Sequence, residues 1–143
     1  MTDLPSIEEL NAFFRTAFTG KADRIPEISI FEPDRVVMRL QASNDMLRPG
    51  GYISGPTQMQ LADHAAYVAV FTQLGIVPMA VTSNLNINFL RPCLGESVAA
   101  SAKILKLGRT LAVIEVEIKG DASDKIASHA IVTYSIPADA RVD

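Results

Sequence analysis

Asp63 is the residue in this chain that most needs a reason. It lies inside QMQLADHAAYVAVFTQL, an apolar run with helical spacing. Aspartate is a poor helix former, and this one is too deep in the run to gain from the positive end of the helix dipole. A carboxylate in that position suits a general base or a nucleophile. The plain alternative is a hydrogen bond to a nearby hydroxyl or amide. Two features flank it. Ser54-Gly55-Pro56 closes a glycine- and proline-rich loop just before the run. A glycine N–H at a helix N-terminus is a natural oxyanion donor and allows close approach. Pro56 has no N–H to offer there. Ser54 either donates to a substrate or caps the helix. After the helix, AVTSNLNINFL sets Thr82, Asn84, Asn86 and Asn88 at alternate positions. Strand alternation puts all four on one polar face. Loop, acid and polar strand together point to an active site.

Other reactive side chains fit less well. His64 follows Asp63 directly, and neighbouring helix residues point about 100° apart, so it reads as a structural or surface histidine. His129, on a late strand, reads the same way. Cys93 follows Pro92 in a turn with no base in sight, which a nucleophilic thiol would need. Arg91, Lys103, Lys106 and Arg109 lie near strand ends, where basic groups either suit a phosphate-bearing ligand or form a solvated surface; Arg109 in Gly-Arg-Thr is the best placed to bind.

The elements that must hold these residues follow from periodicity. Residues 6–19 read as an amphipathic helix with Leu10, Phe13, Phe14 and Phe18 on one face, a Ser6/Glu9 capping box and Gly20 as its stop. Strands are expected at 27–32 and 34–42, broken by Pro33-Asp34. The long helix is expected from Pro56 to Leu74, apolar nearly all round and therefore buried on most sides, with Gly75 ending it. Four more strands are expected at about 79–90, 96–107, 110–119 and 125–136. Ala112, Ile114, Val116 and Ile118 face the core, while Glu115 and Glu117 face water. Long strands joined by short turns imply an antiparallel sheet wrapped on the long helix, an α+β arrangement.

Composition bounds the rest. The 143 residues suit one domain, with 1–26 as an N-terminal helical extension. A hydrophobic share of 48% with a net charge of −3 is globular and argues against nucleic acid as a partner. One cysteine excludes an intrachain disulfide and any cysteine-based zinc site, and fits a reducing cytoplasm. The acidic start, MTDLPSIEEL, lacks the apolar core of a signal peptide, and no apolar run is long enough to span a membrane.

Taken in order, Leu61-Ala62-Asp63, AVTSNLNINFLRP at 80–92 and GRTLAVIEVEI at 108–118 resemble the hotdog fold, and within it the phenylacetate-degradation-type (PaaI-like) acyl-CoA thioesterases. The resemblance covers roughly 34–136. It implies hydrolysis of an acyl-CoA thioester to free acid and coenzyme A, with no cofactor beyond the coenzyme A of the substrate and no metal. The alternative on the same fold is a non-catalytic acyl-CoA-binding or regulatory protein. The family's His-Gly-Gly stands nine residues ahead of its acid, and here that position reads Ser54-Gly55-Pro56. The glycine is kept and the histidine is absent. The resemblance implies Asp63, the Gly55 N–H and Thr82 as the catalytic set. Ser54, Pro56, Asn84, Asn86, Arg91 and Arg109 would line the substrate path, and Met59, Leu47, Ile53 and Tyr67 the acyl slot. A lone sheet of this kind leaves edge strands and an apolar surface to cover, which favours a homodimer and its assembly into a homotetramer; the resemblance implies Asp63 from one subunit and the strand residues from the other.

Overall fold

The computed structural model describes residues 4–18 and 25–138. Helix α1 (Ile7–Ala17) starts where expected, with the Ser6 hydroxyl accepting from the Glu9 N–H at 3.1 Å. The expected stop at Gly20 lies outside the described residues. Strands β1 (Glu27–Glu32) and β2 (Arg35–Gln41) form a hairpin around Pro33-Asp34. A short 3-10 turn (Asn44–Met46) leads into the loop before α2 (Gly55–Leu74). The chain then forms β3 (Val81–Phe89), β4 (Ser97–Leu107), β5 (Leu111–Gly120) and β6 (Ser128–Ser135).

The strands make one six-stranded antiparallel sheet in the order β1-β2-β4-β5-β6-β3. Helix α2 lies against one face of it. Four small side chains, Ala62, Ala65, Ala66 and Ala69, are buried and let the helix backbone approach the sheet closely. Leu61, Val68, Val70 and Phe71 are buried around them, so the helix is covered on most sides, as its all-round apolar sequence requires. Gly75 ends it with φ +73°, a left-handed conformation that glycine adopts without steric cost. On the sheet, Ala112, Ile114, Val116 and Ile118 are buried toward the helix, and the partner strand β6 aligns Ala130, Val132 and Tyr134 with them. Helix α1 packs beside α2 through an aromatic cluster in which Phe14 meets Phe18 and, on α2, His64 and Tyr67.

Strand β3 is an edge of the sheet, and it corrects the sequence reading. Thr82 pairs with Tyr134, but Asn84 pairs with Thr133, so Ser83 is an extra residue in the strand. A bulge of one residue reverses the alternation downstream of it. Thr82 keeps the face of Tyr134, toward the helix. Asn84, Asn86 and Asn88 pair with Thr133, Ile131 and His129 on the opposite face of the sheet. The four polar residues therefore do not share a face.

Candidate active site

The Gly55 end of α2 is built by a cap. The Ser54 hydroxyl accepts from the Thr57 N–H at 3.3 Å and shares a 2.8 Å hydrogen bond with the Thr57 hydroxyl. Helix α2 begins one residue earlier than the sequence suggested, with Gly55 first and Pro56 second. The first helical bond runs from Gln58 N–H to Ser54 C=O, so the Gly55 N–H lies ahead of the helical ladder. Gln58, buried, ties this end down: its amide donates to Ile53 C=O at 3.1 Å and its oxygen accepts from the Ser128 hydroxyl at 2.7 Å. The Phe89 ring lies against Gly55, where a β-carbon would come within 3.2 Å of it.

Asp63 sits two turns further along, half-buried. Its Oδ1 accepts from the Thr82 hydroxyl at 2.5 Å and from the Tyr134 hydroxyl at 2.9 Å. Tyr134 also reaches the Asp63 backbone carbonyl, at 3.0 Å. Burial pushes the Tyr134 phenol far above its usual range, and the Asp63 charge adds to the effect. Tyr134 is therefore a protonated donor. The expectation that Thr82 and the acid come from different subunits is corrected here, since the two meet within one chain.

The acid opens on a cleft of about 260 Å³ whose walls include Phe18, Tyr67, Pro78 and Val81. His64 borders it and also a neighbouring cavity of about 460 Å³ lined by Leu40, Met46, Thr57 and Gln60. The His64 ring packs on Phe18 with centroids 4.9 Å apart, and its Nδ1 is buried without a hydrogen-bond partner among the described residues. Burial lowers its pKa, against a smaller pull from Asp63. Of the four residues expected to form the acyl slot, only Tyr67 borders the cleft. Ile53 is buried in a bridge between Leu47 and Cys93, and Met59 is exposed on the helix.

The remaining expected residues separate. Arg109 is exposed at the tip of the β4–β5 hairpin. That tip lies at the Asp63 end of the sheet, because Thr110 C=O accepts from Ile136 N–H and Ala112 pairs with Tyr134. Arg91 lies past the other end of β3 and donates to the Ile126 carbonyl. His129 pairs with Glu115 at 2.9 Å on the outer face. Cys93 is buried, and burial pushes its thiol up to about 11, with the Asp121 charge adding to the effect.

Tyr134 is the site residue the sequence reading missed. The signal was present: on the inward register of β6 it is the one phenol among Ser128, Ala130 and Val132. A buried tyrosine hydroxyl requires a partner.

Comparison with known proteins gives the family. The thioesterase superfamily matches residues 50–127, which include both Gly55 and Asp63. A Saccharolobus solfataricus protein named as an esterase is 31% identical over 81% of this chain and 85% of its own. Human acyl-coenzyme A thioesterase 13 is 27% identical over 66% of this chain and 67% of its own. A crystal structure of a Silicibacter protein described as a thioesterase superposes with a TM-score of 0.81 at 32% identity, covering 92% of each chain. A sheet wrapped on one long helix, an acid held in mid-helix and a matching family span lead to one assignment: the chain belongs to the hotdog-fold thioesterase superfamily.

Proposed function

We propose that this protein hydrolyses acyl-CoA thioesters in the manner of the PaaI-like enzymes, with Asp63 as general base. The observation that carries this reading is the Asp63 carboxylate, fixed by two hydroxyls at the mouth of an apolar cleft. Asp63 takes a proton from water as the water oxygen bonds to the thioester carbonyl carbon. The oxyanion that forms needs a donor. Collapse then breaks the C–S bond, and the departing thiolate receives the proton, giving free acid and coenzyme A.

The donor is the Gly55 N–H of a second copy. Within one chain Gly55 and Asp63 are eight residues apart on a helix, about 12 Å of rise, too far to act on one carbonyl. The edge strand β3 removes the difficulty. Two β3 edges joined antiparallel about a twofold axis lay the start of one strand against the end of the other. That sets the Thr82 and Asp63 end of one copy near the Phe89 and Gly55 end of its mate. Val81, Phe89 and Leu90 are exposed apolar side chains along this edge, which such pairing would cover. Arg109, exposed at the Asp63 end, would meet the phosphates of coenzyme A.

A second reading has one observation in its favour. Where the family carries histidine, Ser54 is committed to the helix cap. A protein that binds acyl-CoA without turnover would tolerate this. The two readings separate on free-thiol release from acetyl-, hexanoyl-, palmitoyl- and benzoyl-CoA, with the oligomeric state measured by sedimentation. Turnover by a dimer or higher assembly supports hydrolysis. Tight binding with no thiol released refutes hydrolysis and leaves the binder.

A further inference from the structure

Two hydroxyls converge on one oxygen of Asp63 and leave the other free. Thr82 and Tyr134 both donate to Oδ1, at 2.5 and 2.9 Å. Oδ2 has no hydrogen bond among the described residues. A carboxylate is symmetric about its terminal torsion, so an unrestrained one presents either oxygen equally. Two donors on the same oxygen break that symmetry. They come from neighbouring strands paired directly with each other, Thr82 opposite Tyr134, so their spacing is set by the sheet. Tyr134 is 3% exposed, and its ring stacks on Tyr67 with centroids 5.8 Å apart. Its second contact, to the Asp63 backbone carbonyl, fixes the hydroxyl against the helix at the same residue.

We propose that Tyr134 is a positioning residue that, together with Thr82, pins Oδ1 of Asp63 and presents Oδ2 as the oxygen that removes the proton from water. The proposal rests on the hydrolase reading above. The bulge at Ser83 belongs to the same device, because without it Thr82 could not share a sheet face with Tyr134 while the Asn residues downstream face away.

The test uses the full chain and the acyl-CoA of the panel that wild type turns over fastest. Tyr134→Phe keeps the ring and removes the hydroxyl. Because the lost hydrogen bond is to a charged group, kcat is expected to fall about tenfold, with KM within about twofold, since uniform binding is untouched. Thr82→Val is expected to lose a similar factor and Thr82→Ser to retain most of the activity. A merely structural role would lower the melting temperature without this split or this rescue. Tyr134→Phe at wild-type kcat, or a change confined to KM, overturns the clamp while hydrolysis stands. If Tyr134→Phe does not fold, the Thr82 pair decides, and Thr82→Val at wild-type kcat overturns the proposal. No thiol release from wild type overturns the hydrolase reading, and the clamp with it.

Discussion

Replacing Asp63 by asparagine isolates its chemistry from its structural role. The amide keeps Oδ1, so the Thr82 and Tyr134 hydroxyls retain their acceptor at 2.5 and 2.9 Å. What changes is Oδ2, which becomes an NH2 group with no lone pair for a proton. A positioned general base contributes about 10²- to 10⁴-fold, so kcat should fall by that factor, about 2.7 to 5.4 kcal/mol of barrier. Stability should hardly move. Two hydrogen bonds to a charged acceptor become two to a neutral one, a loss of roughly 1 kcal/mol each, offset by no longer desolvating a half-buried charge. A net change within about 1 kcal/mol shifts the melting temperature by roughly 3 °C at this chain length. The assay is the initial rate of free-thiol release, with calorimetry and sedimentation on the same samples. Asp63→Ala is the companion. It removes the acceptor, yet Tyr134 keeps the backbone carbonyl of residue 63 and Thr82, exposed, turns to water. A folded Asp63→Asn protein with kcat within threefold of wild type refutes Asp63 as the reacting group. Activity lost only together with the fold refutes the claim that the two hydroxyls accept the amide in its place.

Three further outcomes follow from packing and titration. Gly120→Ala should lower the denaturant midpoint by the equivalent of about 1–3 kcal/mol, since overpacking is costly and the new β-carbon would fall 2.0 Å from the Leu94 carbonyl oxygen; an unchanged midpoint refutes the close approach. Cys93, its thiol pushed up to about 11 by burial, should resist a disulfide exchange reagent at pH 8 in the native state and react promptly in denaturant; rapid native labelling contradicts this. His64 has a folded-state pKa held below its ordinary 6.5 by burial. The unfolded chain therefore binds the proton first as pH falls, so the stability His64 contributes is full above about pH 6.5 and is lost below it. Urea midpoints at pH 7.5 and 5.5 should differ less in His64→Phe than in wild type, and equal differences refute the assignment.

The sequence made much of the frame legible because the frame is periodic. The alternation in 112–118 predicts which side of β5 is buried, and the all-round apolar run predicts a helix covered on most sides. Asp63 stood out because a charge in that run breaks the pattern. What escaped was set by contacts far apart in the chain. Tyr134 meets Asp63 across 71 residues, and no local pattern records the meeting. The bulge at Ser83 has no glycine or proline to announce it, so unbroken alternation placed Asn84 and Asn86 beside Thr82, on the wrong face. The Ser54 hydroxyl was ambiguous for a different reason: a serine before a helix has the same sequence whether it caps or binds, and only the 3.3 Å contact to Thr57 N–H shows that it caps.

The extra residue at Ser83 also works as a phase shift between two surfaces carried by one strand. Upstream of it, side-chain identity is tied to the acid and its hydroxyl partners. Downstream, Asn84, Asn86 and Asn88 answer only to the outer face, where they neighbour Thr133, Ile131 and His129. Substitutions there leave the surroundings of Asp63 as they are. Were the strand regular over the same residues, Asn84, Asn86 and Asn88 would fall on the face of Thr82 instead. A strand nine residues long thus holds two surfaces free to diverge separately, and its single irregularity is the boundary between them.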